Sequence, residues 1–153
     1  MHETFEHTAD LGLRIRAADL NSLFAEAGLA LFSAIVEEPA AIEPRQRIDI
    51  KLEGSEPEYL LFDWLRELLF RFDTEHLVFG RFECKVEEKR GEGRGAKGEV
   101  EKMLMASLTG SAWGEPYDET RHALAHEVKA ITYHGLRVER EADGWLAEVI
   151  VDI

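Results

Sequence analysis

Lys129-Ala-Ile-Thr-Tyr-His-Gly-Leu-Arg-Val-Glu-Arg-Glu-Ala-Asp-Gly-Trp-Leu-Ala-Glu-Val-Ile-Val-Asp-Ile153 is the stretch whose reading decides the fold. Two runs rich in β-branched and aromatic residues flank Asp143-Gly144, a dipeptide that tolerates the positive φ angles of a two-residue turn. The pattern predicts a C-terminal β-hairpin. With Asp143-Gly144 as the turn, Ala142 faces Trp145, Val138 faces Val149, Leu136 faces Val151 and His134 faces Ile153. Successive strand side chains point to opposite sides, so Leu136, Val138, Ala147, Val149, Val151 and Ile153 form one apolar, core-facing surface.

The same parity puts Asp152 on the other surface, with Gly135, Arg137, Glu139 and Glu148, one residue before the terminal carboxylate of Ile153. Two negative groups are thereby held at the end of a buried strand, and a polyvalent cation is one reason to hold them there. Lys129 and Tyr133 share that parity. Lys129, however, lies about 20 Å beyond Gly135 on a straight strand at about 3.3 Å per residue, so contact with Asp152 requires a bend, which Gly135 permits as a bulge.

Working outward, Met1 to Glu6 reads as a strand, His7-Thr-Ala-Asp10 as a polar corner and Leu11 to Arg16 as a second strand. Asp19 is placed to cap a helix over Leu20 to Val36, which Pro39 ends; Gly28 within it implies close packing or a weak point. Arg47 to Glu53 alternates as a half-buried strand. Ser55 is the candidate cap and Pro57 the first-turn residue of a second helix running to about Phe72, with Leu61, Trp64, Leu65, Leu68, Leu69 and Phe72 on one stripe. Val78 to Val86 and Val100 to Leu108 are further strands, joined by a flexible loop over Glu87 to Gly98. Trp113 to His126 reads as irregular or as a short helix. Strands and helices do not alternate one for one, so the expected class is α+β: a single-domain two-layer α/β sandwich over residues 1–153, with a mostly antiparallel or mixed sheet and two main helices.

Acidic residues number 31 against 18 basic, a net charge of −13. Such a surface repels phosphate backbones and anionic lipid, which argues against autonomous nucleic-acid or membrane binding and favours a basic partner or metal cations. The single cysteine, Cys84, alternates with Phe82 and Val86 and is expected to be buried and inert. No leader and no run long enough to span a bilayer are evident, so a cytoplasmic protein is expected.

Several patterns suggest chemistry and fail on context. Gly93-x-Gly95-x-x-Gly98 satisfies a dinucleotide fingerprint, yet the residues after it alternate as a strand, where phosphate binding needs a helix N-terminus. His122 and His126 have the spacing of zinc ligands on a helix but lack a third ligand, and His122 fits a hydrogen-bonding role. Asp63 and Glu67 could act as paired carboxylates, but a solvated helix face or a surface for a partner, with their repulsion offset by Arg66 and Arg71, is the better reading. No nucleophile setting is present. An oxygen-only set of Asp10, Asp152 and the Ile153 carboxylate suits Ca²⁺, Mg²⁺ or Mn²⁺, although spacing alone does not bring Asp10 there.

Taken in order, His7-Thr-Ala-Asp-Leu-Gly-Leu13, Asp63-Trp-Leu-Arg-Glu-Leu-Leu69, Gly114-Glu-Pro-Tyr-Asp118 with Arg121-His122, Val128-Lys-Ala-Ile-Thr-Tyr-His134 and Val149-Ile-Val-Asp-Ile153 resemble the archease family. The resemblance implies a two-layer α/β sandwich and an accessory protein, not an enzyme. Its partner would be the tRNA-splicing RNA ligase, which joins a 2′,3′-cyclic-phosphate or 3′-phosphate end to a 5′-hydroxyl through a guanylylated histidine, with GTP and divalent metal. Archeases promote that guanylylation and multiple turnover. The resemblance carries the family's functional residues onto Asp10, Lys129 and Asp152, and its divalent-cation ligands onto Asp10, Asp152 and Ile153, with Ca²⁺ expected in crystals and Mg²⁺ or Mn²⁺ as alternatives. Arg66 departs from the small polar residue usual in the family, and the 87–98 and Ser111-Ala-Trp113 segments look longer than typical. Two other classes stay open: a metal-dependent phosphoester hydrolase using the same carboxylates, and a chaperone-like modulator of a tRNA methyltransferase.

Overall fold

Every strand pair in the computed structural model, which describes residues 1–7, 10–94 and 100–153, is antiparallel. In chain order the elements are β1 (His2–His7), β2 (Asp10–Ala17), α1 (Leu20–Ile35), a 3₁₀ turn (Pro39–Ala41), β3 (Gln46–Gly54), α2 (Pro57–Glu75), β4 (Leu77–Arg94), β5 (Val100–Pro116), β6 (Ala130–Ile131), β7 (Arg137–Glu141) and β8 (Gly144–Asp152). They form two sheets. One follows the order β1-β2-β8-β6, with β7 also paired to β8; the other follows β3-β5-β4. Each helix packs against strands of both sheets and against the other helix, which gives the α+β sandwich expected from the pattern of elements.

Local chemistry explains the helices. Asp19 caps α1, its carboxylate accepting from the Ser22 backbone N–H at 2.7 Å. Close packing is the reason for Gly28: a Cβ there would lie 2.8 Å from the Phe82 ring. Pro57 occupies the first turn of α2 and thereby fixes Glu56 as the capping position, so Ser55 is not the cap, and Glu56 makes no side-chain capping bond. Helix α2 runs three residues past Phe72 and ends on His76, whose left-handed backbone (φ 56°) lets its N–H reach the Phe72 carbonyl. Between the helices Trp64 is fully buried, and its indole N–H is satisfied by the Phe24 carbonyl at 3.0 Å.

The Glu87 to Gly98 loop is a correction. Pairing continues along β4 to Arg94, opposite Val100, because backbone ladder bonds need no apolar alternation; residues 95–99 lie outside the described ones. Gly93 of the dinucleotide fingerprint therefore sits in a strand, opposite Glu101. Likewise β5 runs to Pro116, so Trp113 begins no irregular segment. The chain from Tyr117 to Lys129 holds no helix, which removes the geometry that would have aligned His122 with His126.

The C-terminal hairpin forms with a different register. Val138 faces Ala147 and Glu141 faces Gly144, so Ala142 and Asp143 make the turn. A Cβ on Gly144 (φ 147°) would lie 2.3 Å from the Ala17 carbonyl oxygen; the glycine serves a close approach to β2 instead of the turn itself. A slip of two residues preserves parity, and Val138, Ala147, Val149 and Val151 are buried as the alternation requires.

Candidate functional site

On the face of the five-stranded sheet that carries Asp152, the side chains fall into rows across the strands. Glu3 of β1, Arg14 of β2, Glu148 of β8 and Arg137 of β7 are successive register partners. Their charges alternate: Arg14 bonds Glu3 at 3.3 Å and Glu148 at 3.0 Å, while Arg137 bonds Glu148 at 2.8 Å. The Arg137 and Arg14 bonds hold the Glu148 carboxyl below its usual range. In the next row Phe5 faces Gly12 and Gly12 faces Ile150; the ring of Phe5 lies where a Gly12 Cβ would be, and the Arg14 guanidinium stands 4.7 Å from its centroid.

The last row is different. His7 faces Asp10, Asp10 faces Asp152 and Asp152 faces Ala130, so two aspartates are direct neighbours at the open end of the sheet. Directly opposed residues place their Cβ atoms about 4.5–5.5 Å apart on one face, and like charges in that arrangement destabilise a sheet unless something of opposite sign joins them. Both aspartates are half-buried. Pairing of β2 with β8 supplies what spacing could not, since it brings residue 10 against residue 152.

Gly135 does supply the bend, with φ 66°. From Ala130 to Arg137 seven residue steps lie against four on β8, from Glu148 to Asp152, so three residues are looped out. The Lys129 N–H then donates to the Asp152 carbonyl at 2.8 Å, and the Thr132 N–H and hydroxyl both reach the Ile150 carbonyl, at 3.0 and 2.9 Å. An odd insertion reverses parity. Ala130, not Lys129, takes the place beside Asp152, and Lys129 lines clefts next to α2, one with Asp73, His76 and His126 and one with Arg66, Phe70 and Asp73. The expected sharing of a face by Lys129 and Asp152 is therefore corrected, although their backbones touch.

The donor set of the last row fits a hard divalent cation: the carboxylates of Asp10 and Asp152, with a main-chain oxygen of Ile153 adjacent. Among the described residues no group of three or more His, Cys, Asp or Glu side chains could hold a metal.

A second polar cluster is buried where Tyr117 to Lys129 leaves β5. Glu115 is 2% exposed and accepts from Arg121 at 2.8 and 3.0 Å, from the Glu43 N–H at 2.7 Å and from His122 Nε2 at 3.0 Å. His122 Nδ1 accepts from the Asp118 N–H at 2.9 Å, so Nε2 carries the proton. The hydrogen-bonding role expected of His122 is borne out. Arg121, ahead of the burial that opposes it, holds the Glu115 carboxyl down at about 2. Nothing in the spacing of residues 115, 121 and 122 announces this cluster beyond its place in the Gly114 to His122 motif. It anchors the segment that delivers Lys129 to β8.

Comparison with known proteins agrees with this architecture. Residues 2–153 match the model of the archease protein family (MTH1598/TM1083). A relative from Pyrococcus furiosus named protein archease is 43% identical over 152 residues, covering 99% of this chain and 97% of its own, and one from Methanopyrus kandleri is 41% identical over 151 residues, covering 99% and 98%. The solution structure of Methanobacterium thermoautotrophicum protein 1598 superposes with a TM-score of 0.76 at 30% identity, over 99% of this chain and 98% of that one. With the motifs, the sandwich and the whole-length match in agreement, the chain belongs to the archease family.

Proposed function

We propose that this protein is a non-catalytic cofactor of the tRNA-splicing RNA ligase, promoting its guanylylation and its multiple turnover through the end of the five-stranded sheet that carries Asp10 and Asp152. The observation that carries the reading is the direct register of those two aspartates, with Lys129 bonded to the Asp152 backbone. Asp10, Asp152 and Ile153 would hold a divalent cation. When bound, such a cation neutralises the two carboxylates and supplies a Lewis-acid contact for phosphate oxygens.

The protein's own residues then have distinct tasks. Asp10 and Asp152 present a fixed pair of carboxylates on strands that cannot fray independently, since β8 is paired on both sides. Lys129 presents an ammonium from the neighbouring edge, able to meet a phosphate or a ligase carboxylate. The net charge of −13 disfavours direct capture of RNA and favours a basic protein surface as the target. To test the reading, a ligase is reconstituted with wild-type protein, Asp152→Ala and Lys129→Ala, and both guanylylation and turnovers per ligase are counted. Each variant is expected to leave single-turnover joining by pre-guanylylated ligase intact and to abolish later turnovers. Wild-type multiple turnover by both would refute it.

A further inference from the structure

The aromatic rings of this protein repeatedly take the chain's own arginines. Guanidinium groups stand over Phe5 (Arg14, 4.7 Å), Trp113 (Arg81, 4.8 Å, and Arg47, 5.2 Å), Trp145 (Arg140, 5.6 Å) and Phe62 (Arg66, 6.0 Å). Tyr59 and Tyr133 are 50% and 58% exposed, and no guanidinium covers either among the described residues. Both line one cleft of about 480 Å³, together with Glu56, Glu58 and Leu136. Phe70, 55% exposed on α2, is uncovered as well but does not line their cleft.

The cleft is built, not incidental. The loop around Gly135 lifts Tyr133 out of the sheet, where it stacks on Phe62 at 3.8 Å between centroids, with Tyr59 edge-on at 6.0 Å. One face of Tyr133 is thus committed to the protein while more than half of the residue stays open to solvent. Glu56 makes no side-chain capping bond, and neither glutamate's carboxylate enters an ion pair among the described residues. A planar cation would find ring faces and carboxylates converging on it, which is the chemistry this chain satisfies internally at Phe5, where Arg14 also pairs with Glu3 and Glu148.

We propose that the Tyr59–Tyr133 cleft is a docking site for an arginine side chain presented by a partner protein. The guanidinium stacks on tyrosine while Glu56 and Glu58 receive its N–H groups. Lysine is a poorer occupant because an ammonium offers no plane to stack and no fork to pair. The site is separate from the aspartate row, and the experiment contains no ligase, so its outcome is independent of the function proposed above.

The test is a two-dimensional NMR titration of the whole protein with N-acetyl-arginine amide, and separately with N-acetyl-lysine amide. Saturable shifts at Tyr59, Tyr133 and Leu136 are expected with the arginine compound, and about threefold weaker affinity for the lysine compound. Tyr59→Ala, an exposed position, and the double variant Glu56→Gln/Glu58→Gln should each remove the localised shifts while the rest of the spectrum stays native. Absence of localised shifts up to the solubility limit overturns the proposal. So does equal affinity for both compounds, or unchanged arginine binding by either variant.

Discussion

Replacing Glu115 by glutamine keeps its volume and removes its charge. In the folded protein the carboxyl is held down at about 2, against 4.5 when free, first by Arg121 and then by the Glu43 N–H and His122. A shift of that size corresponds to about 3 kcal/mol at about 1.4 kcal/mol per unit. Arg121 is 38% exposed, so solvent screens part of it, and about 2 kcal/mol is the expected loss for Glu115→Gln near neutral pH. The pH dependence follows from the sign of the shift. A depressed carboxyl contributes fully above its unfolded value of 4.5, and the contribution fades as pH falls towards about 2. Urea unfolding of wild type and variant, side by side from neutral pH into the acid range, reads the difference free of the other carboxylates, which titrate in both. At pH 3 less than half of the neutral-pH difference should remain, by about the same linkage. A variant as stable as wild type at neutral pH, or a difference that does not shrink in acid, would refute the account of this cluster.

Two further predictions rest on equally local geometry. Gly135→Ala should cost about 1 kcal/mol, from the left-handed backbone alone, since nothing lies within 4 Å of its would-be Cβ; Gly144→Ala should cost about 3 kcal/mol or prevent folding, because its Cβ would meet the Ala17 carbonyl at 2.3 Å. Thermal unfolding of the pair checks the order, and equal costs would contradict the hairpin register. Burial pushes the Cys84 thiol up to about 12, so at pH 8 iodoacetamide should label the native protein about three orders of magnitude more slowly than the urea-unfolded chain; comparable rates would show an accessible thiolate.

What the sequence makes legible here is what period and capping control. The faces of β7 and β8, the Asp19 cap and the stripe of α2 follow from side-chain alternation and from hydrogen bonds a few residues long. The turn does not, because Asp143-Gly144 carries a local turn signal, whereas Gly144 answers to Ala17 in another strand. The extension of β4 to Arg94 escapes a reading by hydrophobicity for a related reason: main-chain pairing has no side-chain signature. Glu115 is invisible for a third reason. A glutamate in a strand looks solvated until the fold brings Arg121, His122 and the Glu43 N–H around it.

The aspartate row shows where these limits fall within one site. Composition and parity fix Asp152 at the end of a buried strand, but only the pairing of the second strand with the last, between residues far apart in the chain, sets Asp10 against it. The three-residue insertion around Gly135 then decides something no pattern encodes: it lets the Lys129 backbone reach Asp152 while turning the residue towards α2. Carboxylates and ammonium consequently flank the same short strand, β6, which is two residues long and forms the edge of the sheet there. An edge that short offers little ladder for strand addition. A ligase that uses both groups, as the proposed function requires, must therefore straddle β6 with side chains instead of extending the sheet.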